Sequence, residues 1–336
     1  MISNFSGKIQ KYLTPYKYPR PVLVGSGVEG AFDSHAVDIP FVFFHNNLFY
    51  MMYTGFNGRG YQTALSVSTD LLNWRHRGVI LKAESGVGWD KVGAAGTWII
   101  KDSDNLFDIP RLKKIGGRYW LAYHSYPSEG YEEGPAEIGL AWTEDESLLN
   151  WNRMQKPVLS WRDGRAWERG GLYKACIICK DNLYYMLYNA KDEAGEWKEQ
   201  TGMAASRDLL HWERCGSNPV IKVSEGRWDE RFVSDPYVVC DEGQWLNFYF
   251  GYDNKNAQEG LALSEDLVNW EKVENPILTH GSGEEFDGVH AHKAAVLFND
   301  GILYHFYCSV RKSREGDKTS VWNEFRTISV AASRPW

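Results

Sequence analysis

Four polar residues recur at one position relative to an aromatic landmark. Asp38 lies 15 residues before Tyr53, Asp108 lies 15 before Tyr123 and His292 lies 15 before Tyr307, while Asp235 lies 14 before Tyr249. In the remaining stretch Tyr173 and Lys174 lie 15 and 14 residues before Tyr188. Three carboxylates and an imidazole brought to one spot would crowd. Crowding raises at least one carboxyl pKa and so supplies an acid and a base near neutral pH. The competing reading is that each Asp caps its strand by bonding to neighbouring backbone amides, as Asp before Pro does in turns. That explains any one of them; it explains three in register with a His less well.

The common position requires a repeat, and the chain has one. It closes a phrase four times, as Asp70-Leu-Leu-Asn-Trp74, Ser147-Leu-Leu-Asn-Trp151, Asp208-Leu-Leu-His-Trp212 and Asp266-Leu-Val-Asn-Trp270. An opening phrase occurs five times, as Phe32-Asp33, Trp89-Asp90, Trp167-Glu168, Trp228-Asp229 and Phe286-Asp287. Five openings imply five units. The closing Trp residues are spaced by 77, 61 and 58 positions, a period that fits four short strands with their turns. Each unit reads as an apolar strand, a polar turn, an aromatic strand such as Leu48-Phe-Tyr-Met-Met-Tyr53, a small-residue strand and a short outer strand. No stretch keeps a helical period.

The expected fold is therefore all-β, a five-bladed β-propeller with four antiparallel strands per blade around a central channel. A single domain over 1–336 would carry blades at roughly 30–82, 83–160, 161–222, 223–279 and 280–336. The last unit lacks a closing Trp, so the N-terminal stretch is expected to supply its outer strand. In a propeller the first strand of each blade lines the channel, so the recurring polar residues would meet at its mouth.

Composition narrows the partners. The chain has 336 residues, 43% of them hydrophobic and 15% aromatic, and a formal net charge of -7. That charge argues against a nucleic-acid or anionic-membrane partner, and the aromatic load suits both β packing and sugar binding. The five cysteines form no paired framework; Cys176 and Cys179 are a lone CxxC in an apolar run and read as free thiols. Met1-Ile-Ser-Asn-Phe-Ser-Gly-Lys-Ile9 lacks a basic segment followed by an apolar one, and no apolar stretch is long enough to span a bilayer. A cytoplasmic location is the expectation; the sequence leaves the oligomeric state open.

The five-unit repeat, the Ser-Asp-Leu-like phrase before Trp and the Asp on the first strand resemble the five-bladed β-propeller glycoside hydrolases, which include families 43, 32 and 117. The resemblance implies a glycosidase with an oligosaccharide substrate. It implies that Asp38 is base or nucleophile and that Asp235, or Asp108 as its rival, orients substrate and tunes a pKa. The general acid is left between His292, as in family 117, and Glu168. Glu133-Gly-Pro135 matches an acid motif of family 43 but follows an aromatic strand, so it is read as at most a rim contact. His290, Lys174, Lys293, Arg111, Trp98 and Tyr173 are the expected substrate-binding residues, and Tyr126, Tyr131, Trp161 and Trp197 could stack on sugar. No cofactor is required, and the pair His290 and His292 is a weak metal signal; a calcium ion or water could fill the channel. The expected activity is an inverting, exo-acting hydrolase. A non-catalytic glycan- or protein-binding propeller and a phosphate-dependent phosphorylase are the alternatives.

Overall fold

The computed structural model describes residue 7, residues 9–83, residue 86 and residues 88–336. The segment Met1–Ser6, on which the expected cytoplasmic location partly rests, lies outside the described residues. The protein is all-β, built from four successive antiparallel meanders of four strands and a fifth unit whose sheet is completed by strands from the N-terminal stretch. The first is Ala36–His45, Leu48–Phe56, Tyr61–Ser68 and Arg75–Leu81. The second is Ala95–Ile99, Tyr119–Ser125, Glu137–Thr143 and Asn152–Arg153. The third is Gly171–Lys180, Leu183–Lys191, Glu199–Ser206 and Glu213–Arg214, and the fourth Phe232–Asp241, Gln244–Tyr252, Ala257–Ser264 and Glu271–Lys272. One parallel pairing, Glu199 with Phe232, joins these two into a single sheet.

Among the described residues the fifth unit has three strands of its own, His290–Asn299, Ile302–Lys312 and Glu324–Ala332. Its outer strand is Tyr16–Lys17 from the N-terminal end, pairing Tyr16 with Ala332, in keeping with the missing closing Trp. The first strands touch in cyclic order, each against the next and the fifth against the first. No helix among the described residues is long and apolar enough to cross a membrane.

Local chemistry explains the meanders. The first two strands are joined by two-residue turns with both φ positive, such as Asn46 and Asn47 at 47° and 60° and Asp181 and Asn182 at 51° and 60°. Such turns match the strand twist and favour Asn, Asp and Gly. The Asp-Leu-Leu-Asn-Trp phrase is an outer turn: Asp70 Oδ1 accepts from the N–H of Leu72 and Asn73, and Trp74 Nε1 donates to the Leu71 carbonyl at 3.0 Å.

The opening phrase is a lock. Asp90 accepts from the Tyr123 hydroxyl at 2.7 Å and meets Arg153 on the outer strand at 3.4 Å. Glu168 repeats this with Tyr188 at 2.9 Å and Arg214 at 3.0 Å, and Asp229 with Tyr249 at 3.2 Å and Lys272 at 2.6 Å. Asp287 takes Tyr307 at 3.0 Å and Lys17 at 2.6 Å, so the N-terminal strand is fixed by the same device. The Trp stacks on that Tyr (Trp89 on Tyr123 at 5.5 Å), and only glycine fits opposite, because a Cβ at Gly139 would fall 2.6 Å from Trp89.

Candidate functional site

Each first strand carries a β-bulge near its start. The register slips between Asp38 and Phe41, Gly96 and Trp98, Tyr173 and Cys176, Ser234 and Tyr237, and His292 and Ala295. A bulge re-aims side chains next to sites. In four units the extra residue is left-handed: Ile39, Lys174, Asp235 and Lys293 have φ of 50°, 24°, 55° and 66°. Asp38, Tyr173 and His292 thus share one position. Asp235 falls on the next, which is why its count is one shorter.

The bulges sit beside a cavity of about 340 Å³. Tyr173, Asp235, His290, His292 and Lys293 line it. Asp38 lies just behind that wall, 1% exposed, accepting from Lys293 Nζ at 2.8 Å and Arg326 at 3.4 Å. Burial works against its charge, but Lys293 and Arg326 outweigh it and hold the carboxyl well below the usual carboxylate range. Lys174 is buried beneath, 1% exposed, with Nζ free of any hydrogen bond among the described residues.

Four expected site residues lie elsewhere. Asp108 and Arg111 are exposed on a loop that pairs with the far ends of the first strands, through Asn105 with Cys240 and Arg111 with Phe44. They therefore sit at the opposite end from the bulges. The count of 15 failed there because the second unit inserts this loop inside the counted stretch; its first strand, Ala95–Ile99, offers Gly96 and Thr97 instead. Trp98 is fully buried against Phe41 and Tyr237 at 4.9 Å each. Glu168 is spent in the lock of the third unit.

His292 lines the pocket, in surroundings that disfavour its protonated form. Burial first, then Lys293, push its pKa well below the ordinary imidazole value, and its Nδ1 lies 3.1 Å from the Cys308 carbonyl. The nearby carboxylate of Asp38 raises it too little to compensate. His290 is likewise lowered, to about 3, mainly by burial, and its Nδ1 accepts the Ala257 N–H at 2.9 Å. No group of three or more His, Cys, Asp and Glu among the described residues is arranged to hold a metal.

The residues that the repeat missed are Glu199 and Glu132, both lining the cavity. Glu199 opens the third strand of its unit. It accepts from Trp197 Nε1 at 2.8 Å, Asn189 Nδ2 at 3.0 Å and the Ser234 hydroxyl. Burial raises its pKa to about 7 against these donors, with Asp235 and Glu132 adding to the rise. Burial also raises Asp235, opposed by Lys174 and Lys293. Glu132 takes the Tyr61 hydroxyl at 3.1 Å and lies 3.7 Å from Lys293 Nζ. Its neighbour Glu133 points to solvent, so the Glu-Gly-Pro phrase flags the right loop through the residue before it. Of the expected stacking residues, Tyr126, Tyr131 and Trp197 line the cavity and Trp161 does not.

Backbone strain collects here. Ile39, Glu132, Trp197, Asp235, Lys293 and Trp322 all have φ between 50° and 66° and all line the cavity. Each such residue costs on the order of 1–2 kcal/mol, a cost that concentrates at functional sites.

Known proteins share this arrangement. A solved structure described as "Glycoside hydrolase" superposes with a TM-score of 0.82 at 28% identity, covering 98% of this chain and 95% of its own. A thermostable family-43 glycoside hydrolase superposes with a TM-score of 0.65 at 20% identity, covering 91% of both proteins, a likeness of fold. Among curated proteins, a 1,2-beta-oligomannan phosphorylase of Thermoanaerobacter sp. (strain X514) is 27% identical over 125 residues, 35% of this chain and 42% of that protein. A fructan 1-exohydrolase of Triticum urartu is 22% identical over 177 residues, 50% of this chain and 29% of that protein. The chain thus spans less than half the length of these curated relatives. The family model "Glycosyl hydrolases family 32 N-terminal domain" matches residues 102–288, from the second unit's inserted loop to the start of the fifth. These matches support a glycosidase. With more than half its length matched, and with the site at the bulged ends of its first strands, the chain belongs to the glycosyl hydrolases family 32 N-terminal domain family.

Proposed function

We propose that the five units are the blades of a five-bladed propeller, and that the cavity at one end of its channel hydrolyses the terminal glycosidic bond of an oligosaccharide. The observation that carries this reading is two carboxyl groups in one pocket with different surroundings, one buried and one beside a cation. Glu199 is held protonated up to about pH 7 by burial, while Glu132 sits beside the Lys293 ammonium. A carboxyl that keeps its proton near neutral pH can serve as a general acid.

In the proposed reaction Glu199 gives its proton to the glycosidic oxygen as the bond from C1 to that oxygen breaks. The bonding electrons leave with the oxygen. Glu132 takes a proton from the water that attacks C1 on the opposite face, which inverts the anomeric centre. Asp235 holds sugar hydroxyls. Asp38 acts at one remove, keeping Lys293 and Arg326 aimed at the pocket. The cavity volume stands at the low end of the ~300–1,000 Å³ range of small-molecule sites, which favours one terminal sugar over a long chain.

Turnover of glycosides with poor and activated leaving groups tests the acid. Glu199→Gln should lose far more rate on an alkyl glycoside than on a dinitrophenyl glycoside, which needs no protonation. Equal losses on both would remove Glu199 from the role. Proton NMR of the first-formed anomer tests the inversion; retention would make Glu132 the nucleophile.

One observation favours a second reading. Arg231 lines the pocket, its side chain with no ion pair or hydrogen bond among the described residues, and its carbonyl accepts the Glu199 N–H at 3.1 Å. An unpaired guanidinium there suits an oxyanion. If that anion is inorganic phosphate, the enzyme is a phosphorylase, and turnover will depend on phosphate concentration.

A further inference from the structure

Trp322 is the most exposed large hydrophobic residue described, at 67%, and it lines the cavity. Its setting is unfavourable twice over. Val321 and Glu324 exchange both backbone hydrogen bonds, at 3.0 and 2.9 Å, so Trp322 and Asn323 form a two-residue hairpin turn. Their φ values are 51° and 62°, both left-handed. Such a turn favours Asn, Asp or Gly at both positions. The second is Asn; the first is the bulkiest side chain there is, where a bulky residue is an outlier. The indole also leaves most of its apolar surface in water.

Nothing in the fold requires this. The four comparable turns between first and second strands use Asn, Asp, Glu and Gly at positive φ. Among the described residues the only ring against Trp322 is Tyr131, edge-on at 4.8 Å, and Tyr131 itself is 6% exposed and packed by Phe56 and Tyr61. The Tyr131 contact is made edge to face and leaves the indole largely exposed. Behind the pair, the Arg326 guanidinium lies 5.3 Å from the Tyr131 ring centre and fixes that ring.

The geometry points to Trp322 as a stacking platform at the pocket mouth, holding the sugar ring on the leaving-group side of the cleaved bond. This rests on the glycosidase reading above. The terminal sugar occupies the enclosed cavity among the carboxylates. The next ring emerges at the rim, where its C–H face can cover the indole. The substrate class follows: a glycan of at least two sugar units, with a ring having an apolar face next to the terminal one. The strain is the cost of presenting that face, and it is the pattern expected where backbone outliers serve binding.

The test uses the full chain carrying Glu199→Gln, so that bound glycans are not turned over. It is applied to an array of plant and yeast cell-wall oligosaccharides, and affinities are then measured by calorimetry for the glycans retained. Adding Trp322→Ala or Trp322→Asn should weaken binding at least tenfold, and Trp322→Tyr should stay within about threefold. Thermal unfolding gives the second readout: Trp322→Asn should match or exceed the Tm of the parent, because Asn accepts the turn. Unchanged affinity in Trp322→Ala overturns the platform and leaves the glycosidase reading standing. A lowered Tm in Trp322→Asn also overturns it, since the Trp would then be a packing residue. If the parent retains no glycan, the platform and the glycosidase reading fall together.

Discussion

Lys293 donates to Asp38 at 2.8 Å across 255 positions of sequence, tying the fifth unit to the first at the edge of the pocket. Arg326 reaches the same carboxylate oxygen at 3.4 Å. Removing the charge would leave the two buried cations with only Glu132 and Glu324 as carboxylate partners. Asp38→Asn should therefore cost about 3–5 kcal/mol of stability, measured by denaturant unfolding, as breaking one side of a buried pair does. The double variant Asp38→Asn, Lys293→Met should recover part of it. The sign with pH is that of a depressed carboxyl: its stabilisation is present above the unfolded pKa and is lost as pH falls below it.

Glu199 has the opposite sign. Its carboxyl keeps its proton in the fold up to about pH 7, against a reference of 4.5. Between those values the unfolded chain releases a proton that the fold retains, so wild-type stability should fall as pH rises, by about 3 kcal/mol in total. Glu199→Gln removes this slope. The difference in unfolding free energy between variant and wild type, measured at pH 4.5 and pH 8, should grow in the variant's favour.

The same proton governs rate. A general acid must be protonated, so kcat/KM on substrates with poor leaving groups should decline above about pH 7. That alkaline limb should vanish in Glu199→Gln with dinitrophenyl substrates. A limb that persists there belongs to another group.

Glu168 separates structure from chemistry. Its carboxylate binds Tyr188 and Arg214 in a lock repeated around the molecule. Glu168→Gln should lower stability by about 2–3 kcal/mol and leave kcat below the melting range unchanged. A large fall in kcat with Tm preserved would return Glu168 to the site.

Much of this was legible in the chain. The opening and closing phrases marked the units because most copies do the same local work: Trp on Tyr in three, carboxylate to outer-strand cation in four, and an Asp accepting from turn amides in the closing turns. Their regular spacing placed Asp38, Tyr173, Asp235 and His292 near one another, as the bulges place them. The ruler failed where spacing was broken, at Asp108, because an insertion inside the counted stretch carried the landmark away. Glu199 and Glu132 escaped because they occur once each, on a third strand and a loop, and a repeat reveals only what recurs. Burial and the neighbouring Lys293 hold the His292 pKa down, and neither is visible in spacing.

The N-terminal strand Tyr16–Lys17 has a consequence for how the chain reaches this shape. Lys17 meets Asp287 across 270 positions, so the fifth sheet unites the earliest and latest stretches of the described chain. During synthesis four sheets can be completed in turn while the strand that finishes the fifth waits. Until Glu324–Ala332 emerges and captures it, each leaves an open edge, and open edges invite pairing with other chains. Closing so long a loop is slow. The late step in folding, and the interval of greatest exposure to aggregation, should be this annealing of the chain's two ends.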